Sequence, residues 1–86
     1  MSTVKKAKKQ QAPGKEIGIF IHHCREAKGM SQREFAEAIG TNGPNVNNVE
    51  HGKWRYPVEF IKKLSKQERQ VALEILIKYL KQDFGL

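Results

Sequence analysis

From Glu16 onward, apolar side chains return at helical intervals. Ile17, Phe20, Ile21 and Cys24 fall at i, i+3, i+4 and i+7, which predicts a helix from Glu16 to about Lys28-Gly29 with Cys24 on its inner side. The stretch "MSQREF" then carries a start signal: Ser31 as N-cap, Glu34 closing a capping box, and Met30 against Phe35 as a hydrophobic staple. Phe35, Ala36 and Ile39 are the apolar members of this second helix, and Gly40 stops it after about two turns.

The next segment, "TNGPNVNNVEHG", is rich in residues that usually break structure. Their order nevertheless fits a helix, with Asn42 as cap, Gly43 and Pro44 in the first turn and Gly52 at the end. Val46 and Val49 then point inward, while Gly43, Pro44, Asn47, Asn48 and His51 share the opposite face. Beyond it, Pro57 opens a short helix with Phe60, Ile61 and Leu64, and Ser65 with Glu68 predicts a second capping box before a last helix reaching Gln82 or Asp83. Along that helix, Val71, Ala72, Ile75, Leu76 and Tyr79 form one apolar stripe and Leu73, Ile77, Leu80 and Phe84 an adjacent one. Either the helix is central, packed on two sides, or the second stripe is the seam of an isologous dimer. We expect the dimer.

With 86 residues, 38% apolar and 29% charged, the composition suits one small all-α domain. Sixteen basic residues against nine acidic ones give +7 and a pI near 9.8, a balance that favours a polyanionic partner. The excess is uneven. Residues 1–15 hold five lysines and no acid, which leaves 11 basic and 9 acidic residues, or +2, for the remainder. Residues 1–14 lack apolar periodicity and close with Pro13-Gly14, which predicts a flexible basic arm ahead of a domain spanning residues 15–86. Lys5, Lys6, Lys8 and Lys9 of that arm could neutralise phosphates, or the arm could simply aid solubility. A single cysteine excludes an intrachain disulfide, and the N-terminal lysines precede no apolar signal stretch, so an intracellular protein is expected. Glu74 and Lys78 interrupt the most apolar segment, which is incompatible with a membrane span.

The asparagine-rich face is the clearest candidate for chemistry. Asn is at best an ordinary helix former, so several on one exposed face suggest a surface kept for hydrogen bonding. Glu50 lies one turn beyond Val46, toward the inner side, where an ionised carboxylate needs a cation; Arg25, late in the first helix, is the candidate for an architectural ion pair. Lys53, Trp54, Arg55 and Tyr56 interleave cations with aromatics. Lys53 and Arg55 suit phosphate contacts, whereas Trp54 and Tyr56 either back them or cover the core. His22, His23, Cys24 and His51 match no metal-site spacing, since adjacent histidines leave a helix on different sides. Neither a paired carboxylate in a cleft, a phosphate-binding loop nor a nucleophile constellation is present, so no metal, cofactor or enzymatic activity is expected.

Residues 17–57 resemble the helix-turn-helix domain of lambdoid phage repressors and Cro proteins, the XRE-like family. The resemblance rests on Ile17-Gly18, Arg25, Gly29, Ser31-Gln32, Phe35-Ala36, Gly40, Val46, Val49-Glu50, Gly52 and Pro57, in that order. It implies a compact repressor-like domain of four to five helices in which the second and third form the DNA-binding unit and Arg25 bonds Glu50. Carried over residue by residue, it places Gln32, at the N-terminus of the second helix, against the DNA backbone, and Arg33 beside it is a further candidate DNA contact. It also places Gly43, Pro44, Asn45, Asn47 and Asn48 against bases or phosphates, and loop residues Lys53 and Arg55 against phosphates; Asn42, the cap, is a further candidate DNA contact. Gly43 and Pro44 depart from the family pattern, because long polar readers are common at those positions. This turns attention to Asn45, Asn47 and Asn48 as adenine readers, and to indirect readout.

The expectation is therefore a sequence-specific double-stranded DNA-binding transcriptional regulator. The resemblance implies a phage or prophage repressor or Cro-like protein in the cytoplasm, associated with the nucleoid of a bacterial or phage-infected cell. It would occupy a palindromic operator as a homodimer built on residues 66–83. The alternative is an antitoxin-like protein of the same fold, whose C-terminal helix binds a different protein.

Overall fold

The computed structural model of the protein describes residues 12–85, and within them five helices and no strand. They are α1 (Pro13–Ala27), α2 (Gln32–Ile39), α3 (Gly43–Glu50), α4 (Val58–Ile61) and α5 (Lys66–Phe84). The arm lysines Lys5, Lys6, Lys8 and Lys9 lie outside the described residues.

One apolar cluster unites all five helices. Ile17 and Ile21 of α1 meet Phe35 and Ala36 of α2, Val46 and Val49 of α3, Phe60 and Ile61 of α4, and Ala72 and Leu76 of α5, with Leu64 filling the connection before α5. Fully burying an aliphatic or aromatic side chain of this kind is worth about 1.5–3 kcal/mol, so residues from every helix contribute to one cooperative unit. α3 packs on both α1 and α2, while α5 packs on α1 and α4.

The start of α2 follows its sequence signal. Ser31 Oγ accepts from the Glu34 amide at 3.0 Å, the Ser31 amide donates to Glu34 Oε1 at 2.8 Å, and Met30 lies against the core. Gly40 ends the helix at φ +80°, a left-handed conformation that a side chain would strain. The reversal there turns the chain back so that α3 packs on α2. At α5 the expected capping box is only half formed. Ser65 Oγ accepts from the Glu68 amide at 3.4 Å, but the Glu68 carboxylate turns to Lys28 Nζ, 2.7 Å away. This tertiary ion pair draws the carboxylate away from the Ser65 amide, engaging Oε2 and leaving Oε1 buried without a partner among the described residues.

α1 begins earlier than its periodicity indicates. Pro13 and Gly14, expected in the flexible arm, are buried in its first turn. Proline suits that position because it has no amide hydrogen to leave unpaired. Gly14 and Gly18, one turn apart, bring backbone against backbone: a Cβ at Gly14 would run into the Trp54 carbonyl, and one at Gly18 into the carbonyls of Val49 and Glu50. The end of α3 and the loop after it are thereby seated directly on α1.

The two apolar stripes of α5 also differ from expectation. Leu80, placed in the outer stripe, packs against the core, whereas Val71, placed in the inner one, is exposed. Leu73, Ile77 and Phe84 do face outward, at 38%, 49% and 66% exposure. No helix among the described residues is long and apolar enough to cross a membrane.

Candidate nucleic-acid interface

The candidate surface is built outward from Glu50, the last residue of α3. Its side chain is only 5% exposed. Arg25 reaches it twice, with Nε donating to Oε2 at 2.6 Å and Nη2 to Oε1 at 3.1 Å, and Arg25 Nη1 also donates to the Met30 carbonyl at 2.9 Å. One guanidinium thus fastens the end of α3 to α1 and to the turn that leads into α2. Burial pushes the Glu50 carboxyl upward, but hydrogen bonds from Arg25, Gln32 and His22 outweigh it and hold the group below the usual carboxylate value. His22 Nδ1 lies 3.2 Å from Glu50 Oε1 and 3.2 Å from Arg25 Nη2, with Nε2 3.2 Å from Glu26 Oε2.

From Glu50 the network runs toward the exposed side. Gln32 Nε2 donates to Glu50 Oε1 at 3.0 Å, and Asn47 Nδ2 donates to Gln32 Oε1 at 3.4 Å. Gln32, expected at the DNA backbone, therefore spends its amide inside the protein, and through it the ion pair bears on the orientation of Asn47. Asn42 serves as the α3 cap, with Oδ1 accepting from the Asn45 amide at 2.9 Å, and Asn45 Nδ2 donates to Thr41 Oγ1, also at 2.9 Å. The half-buried Asn48 makes no side-chain hydrogen bond among the described residues. Of the four asparagines, it is the one whose whole amide is open to a ligand. His51 Nδ1 donates to the Asn47 carbonyl at 2.8 Å and so satisfies the C-terminal end of α3.

The cations differ in how they are held. Arg33, at the start of α2, has an 87% exposed side chain and a 3.6 Å contact to Glu37. Lys53 is exposed and has no side-chain partner among the described residues. Arg55 is engaged: Nη2 donates to Asp83 Oδ2 at 2.9 Å, Nε donates to Tyr56 Oη at 3.2 Å, and Tyr56 Oη donates to the same Asp83 oxygen at 2.8 Å. Those bonds from Tyr56 and Arg55 lower the Asp83 carboxyl from its ordinary value. Tyr56 rests on the core, so the aromatic pair divides: Tyr56 covers the interior while Trp54 stays 38% exposed.

Asp83 was not singled out by the sequence, although one signal was available. A carboxylate in the last turn of a helix opposes the macrodipole and therefore calls for a cation. Likewise, Glu16 receives Tyr79 Oη at 2.8 Å and Lys78 Nζ at 3.2 Å, which fixes α5 to α1.

The surface so assembled contains a capped two-turn helix packed on a second helix, the open Asn48 amide beside the tethered Asn45 and Asn47, and cations at its flanks. A family model described as helix-turn-helix matches residues 21–67, more than half of the chain. No curated protein and no solved structure matches the chain.

Proposed function

Because the chain belongs to the helix-turn-helix family of the XRE type, a family of DNA-binding regulators and not of enzymes, we propose that it is a sequence-specific double-stranded DNA-binding transcriptional regulator. The observation that carries this reading is the geometry of α3, seated on α1 and α2 and fixed at its end by Arg25 and Glu50. It keeps Asn47 and Asn48 on the side away from the core residues Val46 and Val49. A rigid helix presenting amides is what reading base edges in the major groove requires, since Asn pairs in a bidentate way with adenine N6 and N7. Lys53 and Arg55, on the loop after α3, supply phosphate contacts that set register without carrying sequence information.

In this reading the protein acts as a small phage or prophage type repressor or Cro-like protein, blocking a promoter by occupancy. Two copies joined through Leu73, Ile77 and Phe84 of α5 would place two α3 helices on successive major grooves of a palindromic operator, about 34–36 Å apart. The same outward stripe favours a second reading, in which α5 binds a different protein and DNA binding is autoregulatory, as in an antitoxin.

Selection of bound duplexes from a random pool at near-physiological salt tests the proposal. The expected product is a two-fold-symmetric motif bound at least about a thousandfold more tightly than scrambled DNA. A pool that stays random would sink the sequence-specific reading. A motif without two-fold symmetry would remove the homodimer and leave the single domain as the reader.

A further inference from the structure

The geometry points to Arg33, on the first turn of α2, as a base-reading residue that recognises a guanine beside the leading end of α3. This rests on the DNA-reading role proposed above. In helix-turn-helix docking the N-terminal residues of the recognition helix meet base edges, and here that end has few free groups, chiefly Asn42 Nδ2 and Asn45 Oδ1. Gly43 has no side chain, and Pro44 has no side-chain hydrogen-bonding group. The Asn42 oxygen is spent on the Asn45 amide, and the Asn45 side-chain amide donates to Thr41. Reading that depended on α3 alone would be weakest where the helix enters the groove.

The missing side chain at Gly43 opens the surface toward α2. The Arg33 Cα lies 4.0 Å from the point where a Cβ on Gly43 would sit, and Arg33, Glu37, Asn42, Gly43 and Pro44 line one open cleft. Arg33 is thus the long polar side chain at the edge of the vacancy. Its 87% exposure and its 3.6 Å contact with Glu37, whose side chain is 68% exposed, leave the guanidinium free to move, because such exposed i, i+4 pairs are weak. Guanidinium chemistry then selects the base. Its rigid fork of donors matches the O6 and N7 acceptors that guanine alone presents together in the major groove.

The test compares duplexes selected by the wild type, Arg33→Ala and Arg33→Lys, each shown by circular dichroism to melt as the wild type does. Exposure of the side chain makes loss of fold in these variants unexpected. The wild-type motif is expected to carry one guanine per half-site whose replacement weakens binding about tenfold or more. In Arg33→Ala that preference disappears while the other positions keep theirs. Arg33→Lys also relaxes it, because an ammonium retains the charge without the two-pronged geometry. If Arg33→Ala weakened every duplex alike and Arg33→Lys restored the wild-type pattern, Arg33 would be a phosphate contact and the inference overturned. An unchanged motif in Arg33→Ala overturns it too. A random wild-type pool would instead bring down the underlying DNA-reading role, a result distinct from a clear motif that ignores Arg33.

Discussion

Glu50 shows how much of this surface depends on a single carboxylate. Its oxygens receive Arg25 and Gln32 and lie beside His22, so removing its charge strands a cation whose side chain is only 13% exposed. Breaking one side of a buried pair costs about 3–5 kcal/mol, and Glu50→Gln is expected to lower the urea midpoint accordingly. The pH dependence has a definite sign. Folding lowers the Glu50 carboxyl below its unfolded value, so its stabilisation is present above the ordinary carboxylate range and is lost as pH falls through the lowered native value. Thermal melts of Glu50→Gln are therefore expected to lose less stability on acidification than the wild type; parallel curves would remove Glu50 from the acid response. Asn48 is the complementary case, a residue with little to lose structurally. Asn48→Ala is expected to cost about 1–3 kcal/mol of discrimination at one base pair, read from binding to single-substituted operators, with an unchanged melting temperature. Equal losses on every operator would refute its reading role.

At the level of elements, what could be read from the chain was what local physics decides. The periodicity of Ile17, Phe20 and Ile21, the Ser31–Glu34 capping box and the Asn42 cap mark α1, α2 and α3 within a few residues. Features fixed by distant partners were not legible. α1 starts at Pro13 because its first turn is covered by the loop after α3, and no window around residue 13 contains Trp54. The Ser65 box is incomplete because Lys28 attracts Glu68. The candidate surface followed the same rule. The outward side of α3 was legible, whereas the ties from Asn45 to Thr41, Asn47 to Gln32 and Arg55 to Asp83 depend on how helices and loops meet. The docking of α5 yields a prediction of its own. Burial and the bond to Glu16 raise the Tyr79 hydroxyl to about 12. Its contribution is thus fully present below the ordinary value near 10 and is lost as pH rises toward 12. In Tyr79→Phe that alkaline loss is expected to be smaller, measured by helical content between pH 9 and 12. An undiminished loss would place the alkaline transition elsewhere.

For the whole molecule, Leu73, Ile77 and Phe84 form an outward apolar stripe on α5. A chain of this length buries a smaller fraction of its surface than a larger domain does and gains from association. In the homodimer reading, Ile77→Glu puts a charge into the seam, and sedimentation is expected to shift from dimer to monomer with operator affinity falling together. A wild type that sediments as a monomer would direct attention to a different protein partner.

The Arg55–Asp83 pair changes how such binding would respond to salt. DNA releases condensed counterions in proportion to the positive charges a protein brings, and each lost charge flattens the logarithmic salt slope by about 0.9. Arg55 arrives with a resident carboxylate, so together they deliver almost no net charge to the duplex. Removing Lys53 is expected to flatten the slope by about one unit, and Arg55→Ala by clearly less. Asp83→Asn, which subtracts an anion from a surface it never needs to touch DNA to influence, is expected to steepen it. A count of phosphate contacts taken from the salt dependence alone would then come out one short.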